Sequence, residues 1–179
     1  MYQRRQGESK PKKLFKYYGK EQIDEVLERA RKDSNQRNYL MILTLWKTGM
    51  RCADLTNLKK KDITDVITIR QGKGNKDRVI PLDNSLGDLL KFYTSNMTLE
   101  DVIFPLTNAQ VRNICHRYQG NLDVHPHTMR HSFSVHCLKS GMNIRVLQKI
   151  LGHTDLNTTA VYLDLIGEDI KEDYKKIKW

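Results

Sequence analysis

"VITIRQGKGNKDRVIPL", residues 66–82, is the stretch on which the fold class turns. "VITIR" and "RVIPL" alternate or cluster β-branched residues, and "QGKGNKD" between them is rich in turn formers. Two such runs around a Gly-rich connection predict a β-hairpin. Outward in both directions the pattern is helical. Upstream, Ile23, Val26, Leu27 and Ala30 recur at three- and four-residue spacing from Lys20 on. A more buried helix is expected over 36–48, with Gly49 as its stop. A short helix carrying Ala53, Leu55 and Leu58 follows. Downstream, helical patterns fall near 85–95, 108–119, 128–140, 144–151, 156–165 and 168–178. The expected fold is mainly α with a small antiparallel β-sheet, an α+β domain.

At 179 residues the chain fits one domain with a real core. Residues 1–19 are basic, with Gly, Ser and Pro, and read as an arm or interdomain linker. Residues 20–165 form the main domain, and 166–179 a last helix with Ile166, Ile170, Tyr174 and Ile177 on one face. The longest apolar run, Tyr39 to Trp46, is too short to span a bilayer. The basic N-terminus is followed by no apolar segment of the kind a secretory signal needs. Cys52, Cys115 and Cys137 form no C-x-x-C pair and suit reduced thiols in a cytosolic protein. The net charge of +10 favours a polyanionic partner, although a solvated lysine-rich surface gives the same excess. No strongly amphipathic basic helix with an aromatic face points to a membrane surface.

Four stretches carry side chains able to do chemistry, each with a plainer alternative. In "TGMRCADL", Arg51 follows a helix stop, where a guanidinium can take phosphate oxygens; a cap or a pair with Asp54 is the alternative. In "QGKGNKDR", two glycines flank Lys73, which can enter a groove or protonate a leaving oxygen, or simply be solvated in a turn. In "HPHTMRHSFSVH", Thr128 is expected to open a helix whose first turn presents His127 and Arg130 to an anion. The spacing of His125, His127 and His131 also suits zinc, but an arginine sits among them and few further ligands are near; His131 and His136 can equally be ordinary helix residues. In "LGHTDLNTTAVYL", His153 follows a helix end, and Tyr162 falls about two turns into the next helix, where packing is the ordinary role.

Together these residues suit metal-free phosphoryl transfer. Arginines clamp non-bridging oxygens, a tyrosine supplies an oxygen nucleophile, and His and Lys move protons. At this point the sequence resembles the tyrosine recombinase family, the phage integrases and chromosome-dimer resolvases. "TGMRCADLTNL", "GKGNKDRVIPL", "PHTMRHSFSVHCLKSG" and "VLQKILGHTDLNTTAVYL" match in the family's order, from about Lys13 to Tyr162.

The resemblance implies a role at each matched position. Arg51 and Arg130 would hold the scissile phosphate, with His127 and His153 beside it. Lys73 would protonate the 5′-oxygen leaving group, with Lys76 a less favoured substitute. Tyr162 would form a 3′-phosphotyrosyl link; Asp54 and His131 would support the site; Lys73, Lys76 and Arg78 would contact DNA. The family needs no metal or nucleotide cofactor. It acts on double-stranded DNA with a specific site, as four protomers, in the cytoplasm or nucleoid of prokaryotes or on viral and plasmid DNA. Where the family usually has an N-terminal DNA-clamping domain this sequence has a short basic arm, which reads as an excised catalytic domain or a minimal enzyme. The segment after Tyr162 commonly packs on a neighbouring protomer, or it folds back on its own domain. A DNA-binding module without chemistry, a type IB topoisomerase-like monomer and a zinc hydrolase are the other readings.

Overall fold

The computed structural model describes residues 15–70, 77–153 and 157–163. The expected C-terminal helix, the hairpin tip with Lys73 and Lys76, and most of the basic arm lie outside them. Among the described residues eight α-helices flank one two-stranded sheet.

The organising element is α2 (Gln36–Thr48). Its residues Leu40 to Trp46 are all buried, as expected of a helix that is apolar around its whole circumference. Asn35 caps it by accepting the Asn38 N–H at 3.1 Å. Thr44 and Thr48 satisfy their buried hydroxyls on the carbonyls of Leu40 and Thr44. The helix stops at Gly49, which is left-handed at φ +59°. A Cβ there would lie 2.2 Å from Phe133 Cδ1, so this glycine also lets another helix approach.

That helix is α6 (Pro126–Lys139), packed across α2. On α2's other flanks lie α1 (Lys20–Lys32), which buries Ile23, Val26 and Ala30, and α4 (Asn84–Tyr93), which buries Leu86 and Leu90. Short α3 (Cys52–Thr56) leaves the end of α2 and meets α5 (Asn108–Tyr118). The hairpin joins β1 (Val66–Ile69) to β2 (Arg78–Pro81) in antiparallel register, Ile67 opposite Ile80. Ile67, Ile69 and Ile80 face the core. Pro81, which cannot donate to a ladder, sits at the strand's end.

Two expectations about helix ends are corrected. Helix α6 begins at Pro126, not Thr128, because proline at the first helical position loses nothing and His125 supplies the cap. Helix α8 is only Asn157–Ala160, so Tyr162 sits in the turn after it. Before it, α7 (Ile144–Leu151) ends on left-handed Gly152 at φ +66°. The arm's last residues, Phe15–Gly19, pack on the domain: the Tyr18 N–H donates to Ser132 Oγ at 2.8 Å, and Tyr18 is 7% exposed.

Candidate active site

The C-terminus of α7 leaves its last carbonyls without intrahelical partners and carries the negative end of the helix dipole. Three consecutive carbonyls there each receive one arginine. Ile150 O accepts from Arg78 Nε at 3.1 Å, Leu151 O from Arg130 Nη2 at 2.8 Å, and Gly152 O from Arg51 Nη2 at 3.0 Å. Three separate elements thereby converge: β2 brings Arg78, α6 brings Arg130, and the loop entering α3 brings Arg51. Arg130 is 5% exposed and also donates through Nη1 to Gly49 O at 2.7 Å, which ties the end of α2 to the end of α7.

Asp54 organises the other side. Its Oδ2 accepts the Arg51 N–H at 3.0 Å, closing the first turn of α3, and pairs with Arg78 Nη2. The side chains of Arg78 and Asp54 are only 8% and 10% exposed. Arg78, expected from sequence to contact DNA, is here held inside the site by Asp54 and the Ile150 carbonyl. Gly152 makes this possible, since a Cβ there would lie 2.7 Å from Arg78 Cδ.

Carbonyls satisfy guanidinium N–H groups without cancelling their charge. Arg51, Arg78 and Arg130 outnumber Asp54, so the cluster stays positive. Burial, then the charge of Arg51, pushes Arg130 down to about 10, which leaves it protonated at neutral pH. Arg51 is lowered too, by burial first and Arg78 second. Arg51 Nη1 is buried and, among the described residues, has no hydrogen-bond partner. A desolvated cationic donor without an acceptor costs on the order of 1–3 kcal/mol, which an anionic oxygen would recover.

His153 adjoins this cluster. Its Nε2 lies 2.8 Å from Arg130 Nη2 and its Nδ1 2.9 Å from Thr159 Oγ1. Burial, then Arg130, pushes the ring down to about 4, so it is neutral. His131 is likewise pushed down to about 4 by burial, with His127 the next contributor. His131 Nδ1 lies 2.9 Å from the Tyr162 hydroxyl. Tyr162 is 3% exposed, and burial raises its phenol. Phe15 stacks on the His131 ring at 4.6 Å and stands 6.3 Å from that of Tyr162. Tyr162 is thus seated within its own chain.

The structure brings together Arg51, Asp54, Arg130 and His153, with His131 and Tyr162 alongside. It leaves His127 exposed on the first turn of α6, its ring 6.3 Å from that of His125. His127 instead borders an open groove of about 480 Å³ shared with Asn108, Arg112, His116 and His125. Among the described residues no set of His, Cys, Asp and Glu is placed to hold a metal ion, so the zinc-like spacing does not become a cluster. No described helix is long and apolar enough to cross a membrane. Sequence reasoning did not single out Thr159 or the carbonyls of 150–152. The "LGH" end of an apolar helix was the available signal, because such an end must find donors.

Comparison with known proteins identifies the family and the fold. Residues 16–167 match the phage integrase family. A tyrosine recombinase from Pseudothermotoga lettingae is 37% identical over 161 residues, 83% of this chain and 56% of that protein, so the chain spans little more than half the length of this relative. The crystal structure of XerA recombinase shares the fold, with TM-score 0.76 and 24% identity over 96% of this chain and 67% of that one. XerH site-specific recombinase, in a post-cleavage complex with a palindromic difH substrate, superposes with TM-score 0.73 and 28% identity, covering 92% of this chain and 54% of that one.

Proposed function

Because the chain belongs to the phage integrase family, we propose that it is the catalytic part of a site-specific recombinase that breaks and rejoins double-stranded DNA through Tyr162. One observation carries the reading: Arg51 Nη1, buried and without a partner among the described residues, stands beside Arg130 in a cluster with excess positive charge. A scissile phosphate supplies both the missing acceptor and the missing negative charge.

The chemistry follows from the side chains. The Tyr162 oxygen attacks phosphorus, the bond to the 5′-oxygen breaks, and a 3′-phosphotyrosyl link forms. The phenol's proton passes towards His131, its 2.9 Å neighbour. The leaving 5′-oxygen takes a proton from Lys73, as the family resemblance implies. Charge gathering on the non-bridging oxygens is met by Arg51 and Arg130, held before the reaction begins. The link conserves the phosphoester bond energy, so attack by another strand's 5′-hydroxyl reverses the steps without a metal or nucleotide. His127, at the rim, borders the groove along which flanking DNA runs. The working form is a tetramer on two DNA sites, acting on nucleoid, viral or plasmid DNA.

The test works without a known target site. Nicked duplexes of randomised sequence are incubated with the protein, denatured in SDS, and the covalently bound DNA is sequenced. A sequence-enriched adduct on Tyr162, absent in Tyr162→Phe, is expected. No adduct, or one that persists in Tyr162→Phe through Tyr118 or Tyr174, overturns the proposal.

A further inference from the structure

Thr159 has no part in the chemistry above, yet it is 0% exposed and touches two residues that do. Its hydroxyl meets His153 Nδ1 at 2.9 Å, and its carbonyl accepts the Tyr162 N–H at 3.1 Å.

The protons of the His153 ring can be placed by elimination. A guanidinium can only donate. Arg130 Nη2 stands 2.8 Å from His153 Nε2, so Nε2 must offer a lone pair. A ring protonated at Nε2 would set N–H against N–H at that separation. The single proton of the neutral ring is therefore on Nδ1, which faces Thr159 Oγ1. Which imidazole nitrogen carries the proton is set by the hydrogen bond the other makes.

We propose that Thr159 is a positioning residue: by accepting the Nδ1–H of His153 it holds the ring so that its Nε2 lone pair keeps Arg130 in place. The burial and adjacent arginine that keep the ring neutral support the same assignment. The carbonyl contact places Tyr162 on the same residue, so the orientation of the arginine and the seat of the nucleophile share one anchor. The inference rests on the reading of Arg130 as a phosphate clamp, but its first readout does not.

That readout is the tautomer of His153, from long-range proton–nitrogen spectra of the full chain labelled with ¹⁵N-histidine at neutral pH. Only 6 histidines contribute, and a His153→Gln variant identifies the signal. The wild type is expected to show His153 protonated at Nδ1 and bare at Nε2. Thr159→Val removes the acceptor while Arg130 still faces Nε2, so the proton stays on Nδ1 but its resonance should move upfield and its exchange with water quicken; Thr159→Ser should keep the wild-type signal. Adduct formation should fall about 10- to 100-fold in Thr159→Val and recover in Thr159→Ser, less than the roughly 10⁴-fold loss from a catalytic triad in the wrong tautomer. An Nε2–H tautomer in the wild type, or an Nδ1–H signal unchanged in Thr159→Val, overturns the inference. If Thr159→Val fails to fold, the wild-type and serine spectra still decide. The expected tautomers without any Tyr162 adduct would leave the positioning role standing and sink the strand-transfer reading instead.

Discussion

Helix α1 carries several basic side chains, the end of α7 gathers several from other elements, and the two treat them in opposite ways. On α1, Lys20, Arg29 and Arg31 pair with Asp24, Glu25 and Glu28 one turn away, all in water. Their charge is cancelled where it arises, and such exposed pairs contribute little. At the end of α7, Arg51 and Arg130 are satisfied mainly by backbone carbonyls, which absorb N–H groups and leave the charge intact. Among the described residues only Arg78 of the three has a carboxylate partner, and that pair is buried. A protein that merely needed these arginines packed would have neutralised them. Keeping charge in a desolvated place, with one guanidinium nitrogen unpartnered among the described residues, is what an anion site requires.

The contrast can be attacked at both ends. The largest effect is expected from Arg130→Lys, which keeps the charge but loses the fork that reaches Gly49, Leu151 and His153 together. Adduct formation should fall about 10²- to 10³-fold, as when one oxyanion donor is removed. A loss under threefold would show that charge alone matters there. Asp54→Asn comes next, because it leaves Arg78 buried without its partner. Removal of one member of a buried pair costs about 3 kcal/mol. The melting temperature should then fall by roughly 6–12 °C for a chain of this size. A shift below 2 °C would mean that water reaches Arg78.

Acid should act more gently, through the two buried histidines. His131 and His153 are held at about 4 against an ordinary 6.5, so the unfolded chain binds protons that the native chain refuses. Their contribution to stability is complete above pH 6.5 and is lost as pH falls to about 4. Urea midpoints should decline across that window, and His131→Gln with His153→Gln should flatten the decline. The carboxylate of Asp83, lowered to about 2 by Ser85 and Lys47 against its burial, acts only below that window. The smallest effect belongs to α1: Glu28→Gln should leave the melting temperature unchanged within error, since its partners Arg31 and Lys32 stay in water.

What could be read from the sequence was local. The span of α2 and its glycine stop follow from apolar density and one residue type, and the structure gives the same ends, Gln36 and Thr48. The hairpin follows from β-branched runs around a turn, and α7 from its three-to-four spacing. The resemblance named candidate site residues before any contact was visible; of these the structure gathers Arg51, Asp54, Arg130 and His153 and leaves His127 exposed. What stayed hidden was set by tertiary partners. Nothing in "KDRVIPL" says that Arg78 turns inward, because its carboxylate is 24 residues away and its carbonyl 72. Thr159 lay unmarked beside Thr158, since the acceptor for His153 is chosen by packing. Tyr162 was assigned to a helix by spacing alone, and the short α8 places it in a turn.

The central claim is that the arginines at the end of α7 hold the scissile phosphate, and tungstate, a tetrahedral phosphate mimic visible by anomalous scattering, tests it most directly. In crystals of the full chain soaked with tungstate, the account predicts an anion whose oxygen lies about 3 Å from Arg51 Nη1. It also predicts that the carbonyl contacts of Arg51 and Arg130 stay in place. Tungstate bound only in the groove beside His125 and His127, with Arg51 Nη1 still unpartnered, would contradict it.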